Sequence, residues 1–305
     1  MKEPKVSVVI PAYNAAGFIA KTLDSVAAQT WRDYEVIVVD DGSQDGTHDA
    51  AQSYLRDHGL PGRCIRQENK KIAGARNTGM RAAQGAFIAL LDHDDLWLPR
   101  KLEAVMAAFA RHPEADLVCH NEDITRDGAV VRVSRNGPWT EDMYGRLLLK
   151  GNALSPSASV FRKDKALAIG GFRENPEFNT VEDYDFWMRL SRVAKYHFLD
   201  EVLGEYQLVE RAASRSIEYH HQNLLTLLQD HFRSRFGAAP GLGDRLRMRR
   251  RLAAAHRSAL RQLLDHGESP ELQRQHLRSM LRHFPTEPKN LALALLWTLR
   301  RPRGS

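Results

Sequence analysis

Asp92-His93-Asp94-Asp95 places three carboxylates directly behind an unbroken apolar run, Phe87 to Leu91. A run of that length fits a strand buried on both faces. Carboxylates gathered where such a strand surfaces are costly unless positive charge meets them. A divalent cation carrying a phosphate ester would do so, because Mg2+ and Mn2+ take carboxylate oxygens and keep positions open for phosphate oxygens. The plainer alternative is a helix start, with Asp94 or Asp95 capping a helix over residues 98–110 and Pro99 in its first turn. A second acidic pair, Asp40-Asp41, ends the strand-like stretch 35–39 and runs into Gly42-Ser43. A third, Glu182-Asp183, precedes Tyr184, Phe186, Trp187, Met188 and Leu190, which read as a buried helix. First-turn acids there, Asp185 included, also suit the helix macrodipole.

The elements that must carry these acids alternate. Val6 to Ile10 reads as a strand, with Pro11, Asn14 and Gly17 as punctuation, and Phe18, Ile19, Leu23 and Val26 recur at helical spacing. A strand over 35–39, a capped helix from Asp45, a strand over 63–67, a helix over 73–83 and the strand 87–91 follow. Such alternation implies right-handed crossovers and a mainly parallel, Rossmann-like sheet flanked by helices, so the fold class is α/β. In open parallel sheets ligands bind beyond the carboxyl ends of the strands. The segments 11–14, 40–43 and 92–95 each follow a strand directly, so all three fall on that edge and define a nucleotide or phosphate site. A dinucleotide-binding phosphate loop is absent: no G-x-G-x-x-G follows the first strand, and no G-x-x-x-x-G-K-S/T occurs anywhere. Phosphates must then be held by metal and side chains.

At 305 residues, 43% hydrophobic and 27% charged, the composition is that of an ordinary soluble protein with room for a large domain and an appendage. No signal-peptide pattern opens it and no apolar stretch reaches about 20 residues, the length of a membrane span. Cys64 and Cys119 have no partner at metal-ligand spacing and read as reduced core thiols, so the expectation is a cytoplasmic protein. Residues 211–305 hold 18 Lys plus Arg against 7 Asp plus Glu, whereas residues 1–210 hold 26 against 31. That shift places a domain edge near residue 210, followed by a basic helical extension over 211–305. Within it Leu277, Met280, Leu281 and Phe284 keep helical spacing, as do Leu252, Leu260, Leu263 and Leu264 more loosely, and 237–243 and 266–270 read as breaks. The arginines at 245, 247, 249, 250 and 251 come without a recognition motif or interleaved aromatics, so nucleic acid is not an expected partner. Leu291 to Leu299 with the following arginines suits an interfacial helix on an anionic membrane surface; a solvated helical bundle is the alternative.

VSVVIPAYN at 6–14, EVIVVDDGSQDGT at 35–47, AGARNTG at 73–79, LLDHDD at 90–95, GGF at 170–172 and VEDYDFWMRL at 181–190 together resemble the GT-A-fold inverting glycosyltransferases of the large family containing polysaccharide-assembly enzymes. Six motifs in the family's order and spacing cover residues 5 to about 207. The resemblance implies one GT-A domain over 1–210, its half to about residue 115 binding a nucleoside diphosphate sugar and its half over 116–210 binding acceptor. Pro11 and Tyr13 match the segment against the base, and Asp41 the carboxylate that accepts the imide hydrogen bond of uracil or thymine. Asp92 and Asp94 match the D-x-D pair at the ribose and the metal-bound diphosphate, with Asp94 on the metal, Mn2+ or Mg2+. Arg76 would sit near the nucleotide and offset its charge, an exposed helix-face arginine being the alternative. Asp183 matches the catalytic base, and the glycine pair before Phe172 would place backbone near the acceptor.

The resemblance thus implies a metal-dependent inverting glycosyltransferase using a UDP-linked or related donor, with a glycan or lipid-linked acceptor, in cell-surface polysaccharide assembly at the inner face of the membrane. One departure stands out. Many relatives follow the base helix with tyrosine, arginine, any residue, then histidine, where this chain reads Tyr206-Gln207-Leu208-Val209. His197, Arg211 and Arg215 are candidate substitutes. The rivals are a nucleotidyltransferase, whose Gly-rich N-terminal loop is missing here, and a catalytically dead nucleotide-sugar-binding module.

Overall fold

The computed structural model describes residues 5–208, 214–267 and 269–300. β1 (Val6–Ala12) and β2 (Tyr34–Asp40) have every residue buried, mostly apolar, and the polar Ser7 and Glu35 satisfy each other, Ser7 Oγ donating to Glu35 Oε1 at 2.7 Å. With β3 (Gly62–Arg66) and β4 (Phe87–Leu90) they form a parallel set in the order β3-β2-β1-β4. The crossovers are α1 (Ile19–Ala27), α2 (Thr47–Asp57) and α3 (Lys71–Ala82). Gly79 brings α3 onto the sheet: a Cβ there would lie 2.3 Å from Val9 Cγ1. Arg76, three residues earlier, shares that face near the carboxyl edge of the strands.

After β4 come β5 (Leu96–Trp97), α4 (Lys101–Arg111), β6 (Leu117–Arg126), β7 (Ala129–Ser134), α5 (Met143–Lys150), β8 (Ser159–Arg162) and α6 (Lys163–Ala168). A short 3-10 turn, Pro176–Phe178, leads to α7 (Glu182–Leu190) and β9 (Tyr196–Gln207). The sheet continues β4-β8-β6-β9-β5, with β7 beside β6. β8 lies antiparallel to β4 and β6, while β9 runs parallel to β6 from Leu117↔Tyr196 to Thr125↔Gln207. The sheet is mixed and, by ladder length, mostly parallel.

The described residues fall into two compact units. The first is drawn from residues 1–147, 152–175 and 182–209, the second from 148–151, 176–181 and 210–305. The second contains α8 (Ser214–Phe236), α9 (Leu242–Asp265), α10 (Pro270–His283) and α11 (Pro288–Arg300), with Ala253, Leu260, Met280, Leu293 and Trp297 as one apolar core. Ser269 caps α10, its Oγ accepting from Leu272 N at 3.3 Å, and Pro270 opens the first turn. Trp297 therefore faces inward, donating Nε1–H to Gln273 Oε1 at 3.1 Å, while Leu291, Leu295, Leu296 and Leu299 stay exposed. Among the described residues no helix is long and apolar enough to cross a membrane.

Two local expectations change. α4 begins at Lys101, so Pro99 precedes the helix and neither Asp94 nor Asp95 caps it. Leu96 and Trp97 instead pair with Glu205 and Gly204 of β9, an interruption that four apolar side chains in a row did not announce. Asp45 does organise the start of α2, its carboxylate accepting from Thr47 N at 3.1 Å and Ala16 N at 3.0 Å, but the capping position itself is Gly46 with φ +85°.

Candidate active site

Three loops meet at the carboxyl edge of the parallel strands. Ala12 and Asp40 are in register, and Asp41 N donates to Ala12 O at 2.8 Å. His93 Nδ1 lies 3.1 Å from Pro11 O, which ties the third loop to the first. Tyr13 is half exposed on the outer side, and Asn14 at φ +49° turns the chain so that its N–H reaches Ser43 Oγ at 2.9 Å. Asp41 is buried, and its Oδ1 accepts from Gln67 Nε2 at 2.7 Å and Lys70 N at 2.8 Å.

Arg76 is 1% exposed, not the surface arginine of the alternative reading. Its Nη2 donates to Asp92 Oδ1 at 2.8 Å and Oδ2 at 3.2 Å, and its Nη1 to Glu182 Oε1 at 2.7 Å. The guanidinium also lies 5.4 Å from the centre of the Phe172 ring. One cation thus joins the acid cluster after β4 to the first turn of α7. Glu182 Oε2 is buried with no hydrogen-bond partner among the described residues, and burial, opposed by Arg76 and reinforced by Asp183, pushes its carboxyl up to about 7. Asp183 is partly exposed and accepts from Asn152 Nδ2 at 3.1 Å. Loss of water raises its pKa, Arg76 pulls it back, and Asp92 adds to the rise.

The position of α7 is set by packing and by the turn at Gly170-Gly171, both at positive φ. Phe172 stacks on Phe186 with ring centres 4.1 Å apart, and Arg189 donates to Gly171 O at 2.6 Å. Asn77 of α3 grips the same segment, donating to Phe172 O and accepting from Phe172 N, each at 2.8 Å. The glycines therefore fasten α7 to α3. Asp185 is buried in an ion pair with Arg189 at 2.7 Å, so it serves packing rather than the helix dipole.

Sequence reasoning did not single out Ser157 or Asn152, which lie in a loop without periodicity. Ser157 Oγ accepts from Asp92 N at 3.0 Å and donates to Asp95 Oδ2 at 2.6 Å. Asp95 is buried and also accepts from Gln207 N at 3.2 Å, so the end of β9 is anchored to the acid cluster. Burial, with Asp92 next in effect, raises the Asp95 pKa well above the carboxylate range. Glu122 of β6, likewise unsuspected, is pushed up to about 7 by burial. Nearby Lys101 is fully buried with Nζ 3.4 Å from the centre of the Trp97 ring. His197 stacks on His112 at 4.0 Å near the start of β9, roughly 30 Å of strand from Gln207. It is not placed to replace the missing late histidine. Val209, Glu210 and Arg211 lie outside the described residues, as does the side chain of Arg215.

The glycosyl transferase family 2 profile matches residues 7–170, more than half of the chain. The chain belongs to glycosyltransferase family 2, a family of inverting enzymes. It is 30% identical over 231 residues to an uncharacterized glycosyltransferase of Rickettsia felis, covering 72% of this chain and 36% of that protein. It is 31% identical over 202 residues to chondroitin synthase of Escherichia coli, covering 65% of this chain and 28% of the synthase. The chain thus spans about a third of the length of these curated relatives. Its GT-A fold is similar to that of S. aureus TarS 1–349 in complex with UDP-GlcNAc, with a TM-score of 0.67, 20% identity, and coverage of 95% of this chain and 83% of that one. The mannosyltransferase PcManGT of Pyrobaculum calidifontis, in complex with GDP-Man and Mn2+, superposes with a TM-score of 0.59 at 20% identity, over 99% and 89% of the two chains.

Removing the cation between the buried Glu182 and the partly exposed Asp92 should be costly. Arg76→Met should lose about 3–5 kcal/mol of folding stability at pH 8, where the acids are ionised and uncompensated. Below the raised pKa of Glu182 its carboxyl takes a proton, so the deficit should shrink by pH 5. Urea denaturation at the two pH values measures both numbers, and a deficit independent of pH would refute the charge argument.

Proposed function

We propose that this chain is a metal-dependent inverting glycosyltransferase that moves a sugar from a nucleoside diphosphate donor, UDP-linked by preference, to a hydroxyl of a glycan or lipid-linked acceptor in cell-surface polysaccharide assembly. The observation that carries this reading is the Arg76 bridge, which brings the acids after β4 and the acids of α7 into one site. Tyr13 and Pro11 flank the place of the base, and Asp41 offers its carboxylate to the imide. The complexes of TarS with UDP-GlcNAc and of PcManGT with GDP-Man and Mn2+ support a nucleotide sugar and a divalent ion as ligands.

Asp92 and Asp94 are partly exposed carboxylates two residues apart, a donor set that fits a hard divalent cation. Asp92 faces Arg76, and the match of Asp92 and Asp94 to the D-x-D pair assigns Asp94 to the ion. When bound, such an ion neutralises charge on the diphosphate leaving group. The chain's own groups do the rest. Asp183 takes the proton of the acceptor hydroxyl as that oxygen attacks the anomeric carbon from the side opposite the diphosphate, and the configuration inverts. Its raised pKa makes it a stronger base than an ordinary aspartate, and Asn152 fixes one of its oxygens. Arg76 is a positioning residue: its two donors toward Asp92 and Glu182 hold the halves of the site in register.

Asp183→Asn keeps shape but cannot accept the proton. It should lower kcat by about 10²–10⁴-fold while donor affinity stays within about threefold. Because Asp183 must be ionised, wild-type kcat/KM should fall with acid at a pH above the ordinary aspartate range, and wild-type turnover in the variant would remove Asp183 as base.

Asp94→Ala should abolish metal-dependent donor binding, and chelator should reproduce that loss in the wild type. Full activity in excess chelator would defeat the metal assignment.

A lipid-linked acceptor would require work at a membrane surface, and the outward leucines of α11 support such a site. Leu291, Leu295 and Leu299 recur every fourth residue, with Leu296 beside them. The basic residues of 211–305 would add about 1 kcal/mol for each Lys or Arg close to anionic lipid. Flotation with anionic liposomes should show salt-sensitive binding that Leu295→Glu with Leu299→Glu abolishes. A wild type that stays unbound at low salt would leave α11 as a structural or protein-binding element.

A further inference from the structure

Seven of the chain's thirteen histidines fall in residues 211–305, and three of them come together in the core of the helical unit. His221 belongs to α8, His256 to α9 and His276 to α10, and they are 3%, 8% and 1% exposed. Ring centres of His221 lie 4.5 Å from those of both His256 and His276. One nitrogen from each ring falls within 4.8 Å of the other two. No such gathering is expected of packing alone, because imidazole is polar at both nitrogens and its burial without partners is costly.

The hydrogen bonds leave that cost unmet at one point. His221 Nε2 is buried and has no hydrogen-bond partner among the described residues. His276 Nε2 lies 3.0 Å from Glu218 Oε2, one turn before His221 on α8, so its N–H donates to the carboxylate. That fixes the His276 tautomer and turns the lone pair of Nδ1 toward His256, whose Nδ1 is 3.1 Å away. Two imidazole nitrogens on a tetrahedral Zn2+, each about 2.0–2.1 Å from the metal, stand about 3.3–3.4 Å apart. The His256–His276 spacing is already close to that, and His221 brings one nitrogen within 4.8 Å of the other two. A carboxylate on the far nitrogen of a ligating histidine is also the usual outer support of such sites.

We infer that His221, His256 and His276 form a three-histidine site for a borderline transition-metal ion, Zn2+ foremost, that staples α8, α9 and α10 together, with Glu218 orienting His276. Imidazole ligands select such ions over Mg2+ or Mn2+, so this site differs in kind from the carboxylates at Asp92 and Asp94. The proton now shared between the two Nδ1 atoms moves to His256 Nε2 when the metal takes its place, so all three ligands bind as neutral imidazoles. The inference does not depend on the glycosyltransferase assignment.

The test uses the full chain made without added histidines and stripped with chelator. Titration with Co2+ should give the visible bands of a low-coordinate cobalt site, saturating at one equivalent and bleached by Zn2+. Zn2+ should also raise Tm. His221→Gln and His276→Gln should each lose the cobalt bands and the Tm rise, whereas Asp94→Ala and the exposed-residue control His266→Gln should keep both. His221 donates and accepts nothing at Nε2, so His221→Gln should fold even if His276→Gln does not. The wild-type titration needs no variant. Absence of cobalt bands in the folded wild type, or bands that persist unchanged in folded His221→Gln, would overturn the site.

Discussion

The buried guanidinium of Arg76 is the interaction on which the candidate active site depends. A charge that far from water is tolerable only where carboxylates and hydrogen bonds surround it, and Asp92 and Glu182 supply both. Neither acid would sit comfortably there alone, since burial already drives Glu182 toward neutrality. The arrangement is mutual: each group makes the burial of the others possible. Its consequence is geometric, because the two acids belong to segments 90 residues apart, and their spacing is set by the width of one guanidinium.

Around this pair the architecture divides its labour. The parallel strands and Gly79 bring α3 close enough for Arg76 to reach the strand ends. Phe172 and Phe186 fix α7, and Ser157 and Gln207 hold Asp95 beneath the cluster. Asp183 is left partly exposed at the first turn of a helix whose other face is wholly in the core. That half-sheltered place suits the base proposed at Asp183, which must meet an acceptor and yet hold a raised pKa.

Much of this was legible in the sequence. Alternating strand and helix signals located β1, β2, β4 and α7, and the polar segments after each strand marked the edge where three loops meet, because period and turn chemistry are local properties. What escaped was set by contacts distant in the chain. Nothing around Leu96 and Trp97 marks them as a strand; their partner lies more than a hundred residues away in β9. Arg76 reads equally well as a surface residue until Glu182 is brought to it. Trp297 falls within the stretch 291–299 expected to meet lipid, but its indole N–H finds Gln273 and its ring fills the core. The histidines of α8, α9 and α10 follow no ligand spacing, since each helix contributes only one.

The grip of Asn77 on Phe172 has a chemical consequence. Its side-chain amide meets the peptide group of Phe172 as a neighbouring β-strand would, giving N–H to carbonyl and carbonyl to N–H, and its Nδ2 also donates to Glu174 Oε1 at 2.7 Å. Three of the four hydrogen-bonding opportunities of one amide are thus spent at a single joint between α3 and the segment leading to α7. Hydrolysis of that amide to a carboxylate changes one heavy atom and almost no volume. Yet it would set oxygen against the Phe172 carbonyl and a second negative charge against Glu174. The joint therefore distinguishes asparagine from the nearly isosteric aspartate, and the alignment of α3 with α7 depends on that distinction.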